Sequence, residues 1–131
     1  MDAQSSASPP TLLVVDDDAN VARALSNLLE DEGYRVVSAE NGKRGLELVD
    51  GGLRPSAIIL DLMMPVMDGW DFRAEQLKSP AIRETPVIVL TATGFSRRTI
   101  REQFGGVECL LKPPSTDHLL DTLRRMCLQP H

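Results

Sequence analysis

The chain has 131 residues, 42% hydrophobic and 25% charged, with a formal net charge of −5, the size of a single domain that builds one core without metal or disulfide support. The acidic balance argues against nonspecific nucleic-acid binding, which needs Lys and Arg clustered over a face, and no stretch approaches the roughly 20 apolar residues of a membrane helix. Residues 1–10, MDAQSSASPP, have neither a basic region nor an apolar core, so they read as a flexible tail and the protein as cytoplasmic. Cys109 and Cys127 lack CxxC or His-rich spacing and read as reduced thiols.

The apolar run Leu12 to Val15 predicts a first strand, which ends in Asp16, Asp17 and Asp18. After Asn20, the positions Val21, Ala24, Leu25, Leu28 and Leu29 recur at helical spacing, and Gly33 suits the residue beyond the helix end. Val36 and Val37 centre a second strand, from Arg35 to Ser38. Asn41 and Gly42 open a short second helix, which Gly51 and Gly52 end. The stretch AIILDLMMPVMDGW, Ala57 to Trp70, predicts a third strand buried on both faces, as in parallel sheets, with Asp61 at its carboxyl end. Asp68 then caps a third helix running to about Lys78, with Trp70, Ala74 and Leu77 as its inward face. Val87 to Leu90 predict a fourth strand ending in Thr91, Ala92 and Thr93, followed by a helix from about Ser96 to Phe104. Val107 to Leu111 predict a fifth strand that ends at Lys112, Pro113 and Pro114. Ser115 or Thr116 caps a fifth helix with Leu119, Leu123 and Met126 on one stripe.

Five strands alternating with five helices predict a single α/β domain with a parallel sheet. Ligands of such sheets bind at the carboxyl edge. Taken alone, Asp61 there is either a reactive group or only the start of a turn. The other strand ends decide between these, because they add Asp16 and Asp17, Thr91 and Lys112 at the same edge. Clustered carboxylates repel by about 4 kcal/mol per close pair at an intermediate effective dielectric. A hard divalent cation with oxygen ligands, such as Mg²⁺, relieves that repulsion. Lys112 adds a mobile positive charge and Thr91 a hydroxyl donor, which suit a phosphoryl group near the metal. Asp61 is then the candidate nucleophile.

The motifs LLVVDDD, IILDLMMPVMDG, VIVLTA and LLKPP stand in the order and at the spacing of a receiver domain of the two-component response regulators, which the chain resembles from about Thr11 to Leu128. The resemblance implies a flavodoxin-like, doubly wound, three-layer fold with strand order 2-1-3-4-5. It implies a receiver over residues 11–128 with a short tail at 129–131, stand-alone and similar to the chemotaxis regulators. It further implies that Asp61 is the phosphoacceptor and that Mg²⁺ is held by Asp17, Asp61 and the carbonyl of Met63, with Asp16 acting mainly through water. Thr91 and Lys112 would each bond a phosphoryl oxygen, and the Lys112–Pro113 peptide is commonly cis in such domains. The implied donor is a phosphohistidine on a sensor histidine kinase or phosphotransfer protein, and the implied output is binding to a downstream protein, as a monomer or a phosphorylation-dependent dimer. No membrane or nucleic-acid partner is implied, and the protein acts only on its own phosphorylation rather than as a multiple-turnover enzyme.

The chain departs from the family at several positions. Cys109 replaces the aromatic residue usual three positions before the lysine, and a thiol that small reads as a core filler. Pro114 replaces an aromatic after the Lys-Pro pair. Met63 and Thr93 offer no carboxylate or amide to orient an attacking water, so the phosphoryl group is expected to be long-lived. Arg97, Arg98 and Arg101 form either a partner face or a solvated helix surface, and His118 reads as surface. Two competing functions are a Mg²⁺-dependent aspartyl phosphohydrolase of the haloacid dehalogenase type and a receiver that no longer takes phosphate. The first needs an acid where Met63 stands; the second sits badly with the complete set of Asp16, Asp17, Asp61, Thr91 and Lys112.

Overall fold

Alternation within each strand decides which helices lie on which face of the sheet. The computed structural model describes residues 9–64, 66–91, 97–105 and 107–126. In chain order its elements are β1 (Thr11–Val15), α1 (Ala19–Asp31), β2 (Arg35–Ala39), α2 (Gly42–Asp50), β3 (Ala57–Asp61), α3 (Gly69–Lys78), β4 (Val87–Thr91), α4 (Arg97–Phe104), β5 (Glu108–Leu111) and α5 (Thr116–Arg125). The five strands are all parallel, in the order β2-β1-β3-β4-β5, as expected of the flavodoxin-like fold.

Successive side chains of a strand point to opposite faces. Leu12 and Val14 of β1, Ile59 of β3 and Ile88 and Leu90 of β4 therefore join Leu25 and Leu29 of α1 and Leu119 and Leu123 of α5 in one core. Leu13 and Val15, Ile58 and Leu60, and Val87 and Val89 join Val49 of α2, Phe72 of α3 and Ile100 and Phe104 of α4 in the other. Helices α1 and α5 thus cover one face and α2, α3 and α4 the second, which makes three layers. Burial of each such aliphatic side chain stabilises by about 1.5–3 kcal/mol.

The helix starts follow side-chain capping. Asp18 accepts from the backbone N–H of Asn20 and Val21, Asn41 from Arg44, Asp68 from Asp71 and Ser115 from His118. Helix α1 accordingly begins one residue before Asn20. The inward face of α3 departs from expectation: Gly69, Phe72 and Gln76 are buried, whereas Ala74 and Leu77 are exposed. The larger Trp70 ring is only partly buried, whereas Phe72 fills the core. Gln76 accompanies it inward because its amide donates to the carbonyls of Ile82 at 2.8 Å and Thr85 at 3.1 Å. Thr93, Ser96 and Cys127, and most of both tails, lie outside the described residues.

Candidate functional site

Parallel strands bring their carboxyl ends to one edge, and the strand order changes direction between β1 and β3, the adjacent pair that carries the acids. Asp16 follows β1, Asp61 ends β3, Thr91 ends β4 and Lys112 follows β5. Asp61 pairs in register with Leu90, the neighbour of Thr91. The backbone N–H of Lys112 donates to the Thr91 carbonyl at 2.8 Å, which prolongs the β4–β5 pairing and sets the lysine over the edge. The Lys112–Pro113 peptide is cis.

Asp16 and Asp61 are 2% and 4% exposed, Thr91 is buried, and Asp17 is exposed. One carboxylate oxygen from each of Asp16, Asp17 and Asp61 lies within 4.8 Å of the others. The Lys112 ammonium sits 3.0 Å from Asp16 Oδ2 and 3.3 Å from Asp61 Oδ2. The Asp18 N–H donates to Asp16 Oδ1 at 2.9 Å, and the Met63 N–H donates to Asp61 Oδ1 at 3.3 Å. Burial, and then the charge of Asp16, push the Asp61 carboxyl above the usual carboxylate range, against the pull of Lys112 and the Met63 N–H. Burial alone would lower Lys112, but its bonds and attraction to Asp16 and Asp61 outweigh that and hold its pKa above the ordinary lysine value.

The donor set suits a hard divalent cation. Asp16 Oδ2 is buried and, although 3.0 Å from the Lys112 ammonium, accepts no hydrogen bond, since the ammonium donates to Asp16 Oδ1 at 3.2 Å. That set and its charge fit Mg²⁺. The Met63 side chain is 60% exposed and does not line the acidic cluster with any polar atom. Cys109 is a buried thiol, in no disulfide, opposite Val89 in the β4–β5 register, in the core shared with Ile100 and Phe104, as expected of a filler. Arg98 pairs with Glu102 at 3.6 Å on the exposed surface of α4, Arg101 is exposed, and His118 lies exposed in the first turn of α5.

Two contributors to the site were not singled out for it in the sequence. Gly69 opens α3 with its N–H donating to the Leu62 carbonyl at 2.9 Å, and a Cβ there would stand 2.9 Å from the Asp61 carbonyl oxygen and 2.9 Å from Leu62 Cα. Only glycine permits that approach. Asp18 contributes its N–H to Asp16 while its side chain caps α1. The Asp-Gly pair signalled a helix start, but nothing local signalled that the helix start abuts β3.

Residues 12–124 match the response regulator receiver domain family. The response regulator MprA of Mycolicibacterium vanbaalenii is 37% identical over 119 residues, which cover 90% of this chain and 50% of that protein. The transcriptional regulatory protein CpxR of Escherichia coli is 34% identical over 121 residues, covering 92% and 50% respectively. The chain thus spans about half the length of these two curated relatives. The solved structure of the Vibrio cholerae chemotaxis protein CheY4 superposes with a TM-score of 0.80 at 31% identity, covering 89% of this chain and 98% of that one. Sequence, strand order and the acidic edge agree, and the chain belongs to the receiver domain family of two-component response regulators.

Proposed function

We propose that this receiver takes a phosphoryl group onto Asp61 from a phosphohistidine of a sensor kinase or phosphotransfer protein, and signals by binding a downstream protein. The observation that carries this reading is the convergence of Asp16, Asp17 and Asp61 within 4.8 Å, with the Lys112 ammonium against two of them. Receiver domains are signalling proteins that assist their own phosphorylation, and the family uses Mg²⁺ at its acidic pocket. In this chain Asp16, Asp17, Asp61 and the carbonyl of Met63 would hold the ion. When bound, it neutralises the carboxylates and the charge that develops on the phosphoryl oxygens.

The protein's own groups do the rest. An Asp61 carboxylate oxygen forms the new P–O bond as the P–N bond of the donor breaks; the imidazole nitrogen keeps the electron pair and takes a proton. Lys112, already within reach of Asp61, pairs with one phosphoryl oxygen, and the Thr91 hydroxyl donates to another. Water later hydrolyses the acyl phosphate. The exposed, apolar Met63 side chain offers that water no orienting group, which supports slow self-hydrolysis. We further read residues 11–128 as a cytoplasmic receiver, monomeric or dimerising on phosphorylation. No helix among the described residues is long and apolar enough to cross a membrane.

Incubation with acetyl phosphate and Mg²⁺ followed by intact mass tests the reading. A single phosphoryl adduct that is lost in Asp61→Asn supports it. Release of phosphate over many turnovers favours a hydrolase, and absence of any adduct favours a scaffold that takes no phosphate.

A further inference from the structure

With Cys109 buried in the core where a ring would report on Thr91, a change at the acidic edge needs another way to the surface. Helix α3 starts at that edge. Its first residue, Gly69, is hydrogen-bonded to Leu62 and packed against the Asp61 carbonyl, so the start of the helix is tied directly to the end of β3.

The middle of α3 is fastened to α4. Arg73 donates from Nε and Nη2 to the Phe104 carbonyl at 3.1 and 2.8 Å, from Nη2 to the Gly105 carbonyl at 3.1 Å, and from Nη1 to Gln76 Oε1 at 2.8 Å. Phe104 ends α4, where carbonyls lack helical partners and the helix dipole is negative, so the guanidinium fork closes that end from outside. Gln76, 0% exposed, carries the network on to the carbonyls of Ile82 and Thr85, in the segment that leads into β4. The Trp70 ring packs on Phe104 with centroids 4.5 Å apart and planes tilted by 51°. Among the described residues the partners of Arg73 are all neutral oxygens, so its charge, which burial disfavours, is held by carbonyl and amide dipoles alone. A Leu or Met would fill the same space without that cost. The fork ties the end of α4 to α3.

We propose that Arg73, with Trp70 and Gln76, couples the phosphorylation site to α4 through α3, so that loop movement at Asp61 is delivered to the C-terminal end of α4 rather than through a ring on β5. This rests on the phosphorylation of Asp61 proposed above. Arg73 is a positioning residue for α4 and takes no part in the transfer itself.

The test uses the full chain with acetyl phosphate and Mg²⁺, intact mass to count phosphoryl adducts, and amide hydrogen exchange over residues 97–105 before and after labelling. Wild type is expected to take the label and to change its exchange over α4. Arg73→Ala and Arg73→Lys are expected to label to the same extent, to exchange about tenfold faster or more at the end of α4, the factor expected for losing charged hydrogen bonds, and to lose the label-dependent change. Lys keeps the charge but not the fork, and it serves if the Ala variant fails to fold. Adduct with an undiminished α4 response in either variant overturns the clamp while leaving the phosphorylation reading intact. Wild type that takes no adduct overturns that reading and the coupling with it.

Discussion

Two partly buried cations hold this domain together in opposite ways. Lys112 stands among carboxylates, which raise its pKa, and beside it the buried Asp16 Oδ2 accepts no hydrogen bond. Arg73 stands among neutral carbonyl and amide oxygens, and burial lowers its pKa. The first arrangement has excess negative charge and an open acceptor, so its ligands can exchange for a metal and a phosphoryl group. The second meets only neutral oxygens among the described residues, through four hydrogen bonds, so it ties two helices together. Charged sites that carry chemistry and charged sites that carry geometry can be told apart by what the cation faces.

The sharpest way to break this comparison is to remove each cation. Lys112→Met should destabilise by about 3 kcal/mol in Mg²⁺-free buffer, since removing one partner of a buried pair leaves carboxylates uncompensated, and added Mg²⁺ should recover part of the loss in thermal unfolding. Because the folded state raises the lysine pKa, its contribution is complete below the ordinary lysine value and fades as pH rises through the raised one, so the variant's deficit should shrink in strongly alkaline buffer. Arg73→Met should cost less, about 2 kcal/mol for lost charged hydrogen bonds, and its deficit should be indifferent to Mg²⁺. A Mg²⁺-sensitive deficit in Arg73→Met would erase the distinction.

Smaller effects sharpen it. Gln76→Leu leaves the Ile82 and Thr85 carbonyls without their side-chain donor and should cost about 1–2 kcal/mol by denaturant unfolding. Asp61→Asn should act in the opposite direction. Its carboxyl pKa is raised by burial and by Asp16, so the ionised group weakens the fold above the ordinary carboxylate range and has no effect below it. Without Mg²⁺ the Asn variant should therefore melt slightly above wild type at neutral pH, with the gap closing on acidification. Mg²⁺ should stabilise wild type more than the variant.

The acidic edge was legible because strand ends are legible. Short apolar runs that stop at Asp16, Asp61, Thr91 and Lys112 need only a parallel sheet to bring those residues together. The α3–α4 junction was not, because it depends on which stripe of α3 turns inward. Trp70, Ala74 and Leu77 form a plausible stripe, yet Phe72 and the polar Gln76 are the buried pair, with Ala74 and Leu77 facing solvent. A buried glutamine is favourable only when distant carbonyls meet it, and no local pattern announces them. Val66 is similar: its φ of 72° places a β-branched residue in the left-handed region, a strain imposed by the loop from β3 to α3 rather than signalled by the residue.

The most direct test of the central claim is the position of the phosphoryl group. After labelling with acetyl phosphate and Mg²⁺, reduction with borohydride converts an aspartyl phosphate to homoserine, which peptide mass spectrometry locates. Homoserine is expected at position 61 alone. Homoserine at 16 or 17, or a labelled protein in which Asp61 stays intact, would contradict it.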